Sequence, residues 1–411
     1  MRKDNKAWRN SVKITRMGFL VALSRTQFGM GNKMEKQKKV PVLIMAVVGI
    51  FMAITVFVIL FHYYNNRFFK SYEVEKEIKR SDSNTVSYLP YNGNLLKYSK
   101  DGASAIDMDG TILWNGGYQM ESPAVDICGE YVVVYNIGGK ELYVYNGEDS
   151  GTKVETSLPI VKANIADQGV VAVLLEDTES NTIHLYNPYS STIPLLVEIP
   201  TNIAGNGYPV DFDLSNDGNS LVTAYLNVIN GSVSNQVSFY NFTEVGQDKN
   251  RLVGAKTFGE TMVTKVQFTG DDEVAIFTQN GFCIFQDMKQ PEEKVSKTFE
   301  QEISSVLVDE GSVGVILDQK KEKSKELKLY ENSGREVLSY PVRYDYEKVE
   351  LYGDEIIFST ARKCVVLRCN GREKFNSALN YSYSYIYPAE GRNRYVFIDD
   401  NNVQVIKLTG G

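Results

Sequence analysis

Apolar residues follow two different patterns along this chain. Residues 40–61 (VPVLIMAVVGIFMAITVFVILF) form a continuous apolar run without a charged side chain. A helix of this length spans a hydrocarbon core of about 30 Å, and only a helix satisfies all of its own backbone hydrogen bonds in lipid. A core helix of this length would normally keep a polar face. The run therefore predicts one transmembrane helix over residues 40–61.

From residue 85 onwards the chain consists of short runs rich in Val, Ile, Tyr and Phe, separated by Gly, Asn and Asp. Runs such as 131–135 (YVVVY) and 355–358 (EIIF) are typical of β-strands joined by tight turns. The first runs of successive groups are spaced by 34 to 54 residues, and they begin near Ala124, Ala163, Val210, Thr264, Ser304, Val349 and Tyr383. A repeat of about 40–45 residues with four short strands is typical of one β-propeller blade.

The repeat predicts an all-β fold, a β-propeller of seven or eight four-stranded blades that follows the N-terminal helix. Stacking the blades around an axis buries both faces of each sheet, and closure of the ring leaves only short edges. The last group, residues 383–408, contains only three strand-like runs, so closure requires a strand from elsewhere. Residues 85–91 are one donor. Alternatively, residues 85–118 form a complete first blade, and we favour eight blades over seven. A two-domain β-sandwich is the rival fold.

Charge is distributed unevenly on the two sides of the apolar run. Residues 1–39 carry 11 Lys and Arg against two acidic residues, whereas residues 85–411 have a net charge of −17. The basic flank of a membrane helix stays in the cytoplasm. We therefore predict a plasma-membrane protein with a cytoplasmic basic tail (1–39), a juxtamembrane stalk (62–84) and an extracytoplasmic propeller (85–411). An acidic domain of this kind argues against binding nucleic acid.

The two segments that flank the helix carry weaker signals. Met34 begins a short basic segment directly before the apolar run, so residues 1–33 are a candidate for a misassigned start. No small-x-small cleavage site follows the run, which favours an uncleaved anchor over a signal peptide. In the stalk, Glu75 and Lys79 have the i,i+4 spacing of a helical ion pair. This spacing predicts a short helical spacer between membrane and propeller.

Two local motifs resemble those of known propellers. Residues 105–114 (AIDMDGTILW) are similar to the A-x-D-x-x-x-G-x-x-x-W docking motif of quinoprotein-type propellers, with one residue fewer in the turn. The resemblance implies that Trp114 packs between blades, with Ala105, Asp107 and Gly110 completing the motif.

Residues 209–218 resemble the F-S-x-D-G-x-x-L turn of WD-repeat-like and YVTN-type propellers, in which Asp217 and Gly218 would make a tight hairpin turn. The chain from about residue 40 to 408 resembles an uncharacterised family of membrane-anchored propellers of Gram-positive bacteria, a domain of unknown function. The shared features are the Gly110-to-Trp114 unit and the stretch 159–163 (PIVKA). This resemblance implies no particular activity.

Few residues suggest metal or cofactor chemistry. Asp211, Asp213, Ser215 and Asp217 alternate like the start of a calcium loop, but Asn216 and Val222 stand where an EF-hand requires Gly and Glu. We therefore interpret them as a strand end and a hairpin turn. The chain has only two histidines and no clustered cysteines, which argues against a zinc site. We predict no metal and no cofactor.

The four cysteines are predicted to be isolated thiols. Cys364 and Cys369 lie five positions apart on one predicted strand, about 16 Å apart and beyond the reach of a disulfide. A long-range pair between Cys128 and Cys283 is left open.

Tyrosines provide the candidate binding residues. Tyr381, Tyr383 and Tyr385 alternate within 381–387 (YSYSYIY), so on a strand they would share one face. Together with Tyr208, which precedes another first strand, they could line a mouth of the propeller. Packing between blades is the structural alternative for each of these side chains.

Three classes of function remain. The first is a non-catalytic binding or scaffold module for a protein or a cell-envelope polymer, which we favour. The second is an envelope hydrolase or lyase that uses carboxylates in the propeller funnel. The third is a quinone-dependent dehydrogenase. This class is disfavoured because its sites have a vicinal cysteine pair and a stacking Trp, whereas this sequence has no adjacent cysteines. No nucleophile-elbow, P-loop or dinucleotide fingerprint is present, so we predict no catalytic residue.

Overall fold

The computed structural model describes residues 36–411, except residues 84, 149, 179, 191–194, 203–205, 230 and 320–323. Most of the predicted basic tail, with the alternative start at Met34, therefore lies outside the described residues. The chain divides into two compact units, Met1–Asn65 and Asn66–Gly411.

The first unit contributes an apolar helix, α1 (Lys36–Asn65). Its side chains are described from Met45 onwards, and those from Met45 to Phe61 are exposed instead of being buried in a protein core. By length and composition, Met45–Asn65 could cross a membrane. The prediction of one N-terminal apolar helix is therefore confirmed, and residues 40–61 lie within α1.

The second unit is a propeller of eight four-stranded antiparallel sheets. The strands of blades 1 to 4, in chain order, are β2 (Ser87–Tyr91), β3 (Asn94–Ser99), β4 (Gly102–Ile106), β5 (Ile112–Gly117); β6 (Pro123–Cys128), β7 (Tyr131–Asn136), β8 (Glu141–Tyr145), β9 (Thr152–Glu155); β10 (Ile160–Ile165), β11 (Val171–Glu176), β12 (Ser180–Tyr186), β13 (Leu195–Asn202); β14 (Tyr208–Leu214), β15 (Ser220–Ile229), β16 (Ser232–Asn241) and β17 (Leu252–Gly259). A 3₁₀ helix, Glu244–Lys249, lies between β16 and β17.

The remaining blades repeat the same arrangement. The strands of blades 5 to 8 are β18 (Val263–Gly270), β19 (Glu273–Thr278), β20 (Gly281–Gln286), β21 (Glu292–Thr298); β22 (Glu302–Asp309), β23 (Ser312–Gln319), β24 (Ser324–Glu331), β25 (Glu336–Val342); β26 (Lys348–Tyr352), β27 (Glu355–Thr360), β28 (Lys363–Arg368), β29 (Glu373–Ala378); β30 (Tyr385–Pro388), β31 (Arg394–Ile398), β32 (Asn402–Thr409) and β1 (Ser71–Lys79). The predicted propeller is confirmed, with eight blades and a complete first blade.

Alternate side chains of one strand pack into two neighbouring cores. In β7, Val132 and Val134 pack into the core shared by blades 1 and 2, whereas Val133 packs into the core shared by blades 2 and 3. Alternate side chains of a strand point to opposite faces of its sheet, so every blade is covered on both faces. Burying one such Val contributes about 1.5–3 kcal/mol. These repeated cores hold the blades to one another.

The closing strand differs from the prediction. The ring is closed by β1, which pairs antiparallel with β32 from Ser71↔Thr409 to Lys79↔Asn402, with a bulge between Val74 and Lys76. The predicted helical spacer over this segment is therefore wrong, and the propeller unit starts at Asn66 rather than at residue 85. Residues 85–91 are not the donor either, because β2 is the first strand of blade 1.

The ion pairs of β1 differ from the one that the i,i+4 spacing of Glu75 and Lys79 predicted. Glu75 does not pair with Lys79 but with Arg394 and Lys407 on the neighbouring strands of blade 8, at 2.5 and 3.5 Å. The centroid of the Tyr72 ring lies 5.5 Å from that of Phe397 on β31. The open edge of a three-stranded blade thus outweighs a weak local helical preference, since tertiary pairing often overrides propensity.

The first strand of each blade lies at the axis. First strands of neighbouring blades contact one another, for example β14 with β18 and β22 with β26. These strands run in the same direction, so they define an axial channel with two ends. We call the end at which the first strands begin the upper mouth, and the end at which they finish the lower mouth. Loops between blades open onto the upper mouth.

Candidate functional site in the axial channel

Two residues of the docking motif, Ala105 and Trp114, pack between blades 1 and 2. Ala105 and Trp114 are opposite each other on β4 and β5, and both are buried. The Trp114 ring stacks on Tyr145 of blade 2, with centroids 4.5 Å apart and planes 16° apart. Trp114 therefore packs between blades, as the resemblance implied.

The turn of this motif is fixed by Asp107. Its Oδ1 accepts hydrogen bonds from the backbone N–H groups of Asp109 and Thr111, both at 2.8 Å. These bonds lower the pKa of the Asp107 carboxyl. Gly110 has φ +83°, and a Cβ there would lie 3.1 Å from Ile78 of the closing strand. The turn thus needs glycine both for its conformation and for close contact with β1.

Asp217 and Gly218 form a second structural turn at the lower mouth. Asp217 Oδ1 accepts hydrogen bonds from Ser215 Oγ at 2.6 Å and from the N–H of Asn219 at 3.0 Å. Gly218 has φ +68°, and a Cβ there would collide with Gln168 of blade 3. Both residues therefore shape a hairpin and its contact with the neighbouring blade.

The candidate tyrosines do not form the common face that the alternation predicted. β30 begins only at Tyr385, so Tyr381 and Tyr383 lie in the loop before it. Tyr381 is 61% exposed, whereas Tyr383 is 4% exposed and donates a hydrogen bond to Gln404 Oε1 at 3.0 Å. Tyr383 is part of the core and is not available to a partner. The irregular loop breaks the strand geometry on which the prediction depended.

Two of the other candidate tyrosines lie at the upper mouth. Tyr208 is the first residue of β14 and is 37% exposed; its hydroxyl donates to Glu176 of blade 3 at 3.2 Å. Tyr385 is half-buried, and Lys348 Nζ lies 4.7 Å from the centroid of its ring. Tyr208, Tyr381 and Tyr385 therefore stand on separate blades or loops around the same mouth.

Below this mouth, charged side chains from blades 2 to 5 meet in the channel. We call Asp126, Lys162, Asn164, Asp211, Asp213, Lys265 and Gln267 the channel cluster. All seven belong to first strands, namely β6, β10, β14 and β18. Lys162 Nζ lies 2.7 Å from Asp211 Oδ1 and also donates to the carbonyl oxygen of Phe212 at 2.6 Å. This ion pair joins blades 3 and 4.

The channel aspartates fasten blade 2 to blade 3 and blade 4 to blade 5. Asp126 Oδ2 accepts the N–H of Ile165 at 2.8 Å, and Asp213 Oδ2 accepts the N–H of Phe268 at 2.7 Å. Asp211 Oδ2 does the same for the N–H of Val266 at 2.9 Å. In each case a carboxylate satisfies a backbone donor that the neighbouring first strand turns toward the channel. These aspartates therefore have a structural role in the ring.

The surroundings of the cluster shift its titration strongly. Burial raises the pKa of the Asp126 carboxyl and raises that of Asp213 to about 7, even though backbone N–H donors and Lys162 act in the opposite direction. Burial also lowers the pKa of Lys265, against the attraction of Asp211 and Asp213. Both effects follow from the poor solvation of charge deep inside a protein.

Sequence reasoning missed the channel cluster. It considered Asp211 and Asp213 only as a failed calcium loop, and it did not single out Asp126, Lys162 or Lys265. One signal was present in the sequence. Charged residues occur inside the first strands of successive repeats, where apolar residues were expected.

Neither cysteines nor acidic residues form a recognisable metal centre in the described part of the chain. Cys283 and Cys364 are buried, and Cys128 and Cys369 are half-buried. In the same part of the chain, no group of three or more His, Cys, Asp and Glu side chains is arranged to hold a metal ion.

Several solved structures are similar to this chain. BamB from Moraxella catarrhalis matches with a TM-score of 0.52 and 13% identity over 82% of this chain and 100% of that chain. Hydrazine synthase from Kuenenia stuttgartiensis and Hsv2p from Kluyveromyces lactis each match with a TM-score of 0.45 and 12% identity over 72% of this chain, and over 99% and 97% of their own chains. At these identities the likeness concerns the fold alone.

Sequence comparison identifies the family. No curated protein sequence matches this chain. The profile of DUF5711, a family of unknown function, matches residues 65–408, which run from just before β1 to the penultimate residue of β32. The predicted resemblance to a domain of unknown function is thereby confirmed, and the chain belongs to the DUF5711 family.

Proposed function

We propose that this protein is a membrane-anchored, extracytoplasmic propeller that binds a protein or a cell-envelope polymer at its upper mouth, without catalysing a reaction. The observation that carries the proposal is a group of exposed apolar and aromatic side chains at the upper mouth of an otherwise closed, well-packed ring. We call Tyr208, Val210, Val228, Val233 and Met262, all exposed, the mouth patch.

The mouth patch is built on the longest hairpin of the propeller. β15 and β16 have ten residues each, and they continue beyond the start of β14, where Tyr208 is opposite Leu226. Val228 and Val233 are opposite each other near the tip. Opposed residues of an antiparallel pair share a face, so Tyr208 and the two valines lie on the same face of the sheet. Exposed apolar groups of this kind often mark binding surfaces.

The channel chemistry supports binding over hydrolysis. Asp126, Asp211 and Asp213 each accept a backbone N–H of the next blade, and Asp211 also pairs with Lys162. A carboxylate held in this way is a poor candidate for the paired acid and base of a hydrolase, which must reach a substrate. We therefore favour the non-catalytic function.

α1 and the charge distribution support the proposed anchoring and orientation. A basic flank of +9 on residues 1–39 favours a cytoplasmic N-terminus and a propeller outside the membrane. Protease added to intact, wall-stripped cells should therefore digest the propeller or release it. Complete protection of the propeller, with digestion only after the membrane is permeabilised, would reverse this orientation.

Binding at the mouth is tested by capture from the cell envelope with the affinity-tagged full chain. The double variant Tyr208→Ser/Tyr381→Ser removes two exposed rings from the upper mouth. Tyr189→Ser is the matched control, because Tyr189 is 40% exposed but lies in a loop on the side of the lower mouth. We expect a component that the wild type and the control retain and that the double variant loses. Identical capture by all three proteins would contradict the proposal.

A further inference from the structure

We propose that one edge of the propeller, on the lower-mouth side of blades 7 and 8, contacts the anionic headgroups of membrane phospholipids. We call residues 66–70, 369–372 and 409–411, which meet there, the basic edge. The proposal rests on the membrane anchoring that forms part of the proposed function. It adds a second contact surface, which is separate from the mouth patch.

The chain between the end of α1 and the first strand pairing of the propeller is short. α1 ends at Asn65, and Phe69 already forms a β-bridge with Phe375 of β29. The backbone N–H of Phe69 donates to the carbonyl oxygen of Lys374 at 2.8 Å. Four residues of extended chain reach no further than about 14 Å. Because Met45–Asn65 could cross a membrane, anchoring by α1 would hold this end of the propeller close to the membrane surface.

Hydrogen bonds join the three segments of the basic edge. Asn370 Nδ2, in the turn after β28, donates to Asn66 Oδ1 at 2.8 Å. The backbone N–H of Lys70 donates to the carbonyl oxygen of Thr409, at the end of β32, at 3.2 Å. The turn after β28 and the end of β32 therefore stay beside residues 66–70 and near the same membrane surface.

The exposed side chains of this edge have the chemistry of an interfacial contact. Phe68 is 40% exposed, and Lys70 and Arg372 are exposed as well. Among the described residues, neither Lys70 nor Arg372 forms an ion pair with a carboxylate. Aromatic rings favour the level of the headgroups, and Lys and Arg near the membrane surface are attracted to anionic lipids.

The charge of the basic edge differs from that of the domain around it. The three segments contain Arg67, Lys70 and Arg372 and no Asp or Glu, whereas residues 85–411 have a net charge of −17. An anionic membrane therefore attracts this edge and repels most of the remaining surface. Charge complementarity thus favours one orientation of the propeller on the membrane.

Contact at the basic edge would turn the upper mouth away from the membrane. Successive strands of a blade alternate in direction, so β28 runs in the same direction as the first strand, β26. The turn after β28 accordingly lies on the lower-mouth side. With that side held at the headgroups, the mouth patch faces the surrounding envelope, where its partner would be found.

The test uses the full chain in vesicles of phosphatidylcholine, with or without phosphatidylglycerol, that contain some phosphatidylcholine spin-labelled on its headgroup. A fluorescent amino acid replaces Phe68 in one variant and Val233 in another, because Val233 is 39% exposed but lies at the upper mouth. The spin label quenches a fluorophore that lies among the headgroups. We expect phosphatidylglycerol to increase quenching severalfold at position 68 and not at position 233. Quenching at position 68 that is independent of phosphatidylglycerol, or that rises equally at position 233, would overturn the proposal.

Two double variants test the role of the cations. Lys70→Gln/Arg372→Gln removes two charges from the basic edge and should abolish the increase in quenching at position 68. Lys100→Gln/Arg362→Gln removes the same charge from exposed residues in turns on the upper-mouth side and should retain the increase. Circular dichroism and melting curves verify that each variant is folded. An equal increase in both double variants would contradict the proposal.

Extraction of the vesicles with alkaline carbonate tests the anchor separately. A protein that stays in the membrane but shows no quenching that depends on phosphatidylglycerol contradicts only the lipid contact. A protein that carbonate releases contradicts the membrane anchoring, and the lipid contact with it. Capture at the upper mouth enters neither measurement, so both failures are distinguishable from a loss of binding at the mouth.

Discussion

Arg80 and Asp82 form an ion pair at the point where the closing strand leads into blade 1. Arg80 Nε donates to Asp82 Oδ1 at 2.8 Å, and the two side chains are only 4% and 15% exposed. Arg80 also donates to the carbonyl oxygen of Asp399 on blade 8 at 2.6 Å, and Tyr88 of blade 1 donates to Asp82 Oδ2 at 2.6 Å. The pair therefore ties β1 to both the last and the first blade.

Removal of the Arg80–Asp82 ion pair should destabilise the ring. Arg80→Met removes the donor to Asp82 Oδ1 but leaves Oδ2 with Tyr88 and with Lys97, whose Nζ lies 3.3 Å away. Loss of one charged hydrogen bond in a nearly buried site costs about 1–3 kcal/mol. We expect a loss of that size in the free energy of unfolding, measured by denaturant titration, with earlier proteolysis near β1. Arg335→Met is the control, because its pair with Glu331 is largely exposed, and it should cost no more than about 1 kcal/mol.

Trp114 should stabilise the interface of blades 1 and 2. Trp114→Ala removes a buried ring that stacks on Tyr145, and truncation of a buried Trp costs about 3–5 kcal/mol. Ile112→Ala on the same strand is the control, since Ile112 is 58% exposed. Thermal melting should separate the two variants clearly. Similar melting of both variants would show that Trp114 does not dock the blades.

Tyr381 and Tyr383 should respond oppositely although they are two residues apart. Tyr383→Ala empties a core site beside Phe397, whose ring centroid lies 5.0 Å away, and should cost about 3–5 kcal/mol. Tyr381→Ala removes an exposed ring and should change stability by no more than about 0.5 kcal/mol. Chemical denaturation of the single variants measures both. A stable Tyr383→Ala protein would restore this residue as a candidate contact.

Asp213 should make the ring less stable as the pH rises. Its carboxyl has a pKa of about 7 in the folded protein and about 3.8 as the reference value, so the folded state binds the proton more tightly. The associated stability is fully present below pH 3.8 and is lost as the pH rises through 7. Asp213→Asn should flatten the decline in unfolding free energy over this window, relative to wild type and Asp400→Asn. An unchanged pH profile would mean that Asp213 is ionised throughout.

The parts of the fold that the sequence predicted correctly depend on local and repeating signals. In an apolar run such as 131–135, successive side chains point to opposite faces, so the run specifies a strand that is buried on both faces. The spacing of such runs along the chain specifies the blade. The apolar run at residues 40–61 likewise specifies α1. These signals need no knowledge of distant contacts.

The parts that were missed depend on distant partners. The charges of β1 are typical of a solvated helix, and only the free edge of β32 makes the segment a strand. Tyr383 has the same alternating spacing as Tyr381 and Tyr385, but it lies in the loop before β30, and its side chain packs in the core. The channel cluster forms because the ring brings four first strands together, a proximity that no single repeat reveals.

Binding at the upper mouth is tested most directly by site-specific photo-crosslinking in living cells. A photoreactive phenylalanine analogue is placed at Tyr208 in one chain and at Tyr189 in another, because the two side chains are 37% and 40% exposed but lie on opposite sides of the propeller. We predict a discrete light-dependent adduct, to a protein or an envelope polymer, from position 208 and none from position 189. Adducts of equal yield from both positions, or from position 189 alone, would contradict binding at the upper mouth.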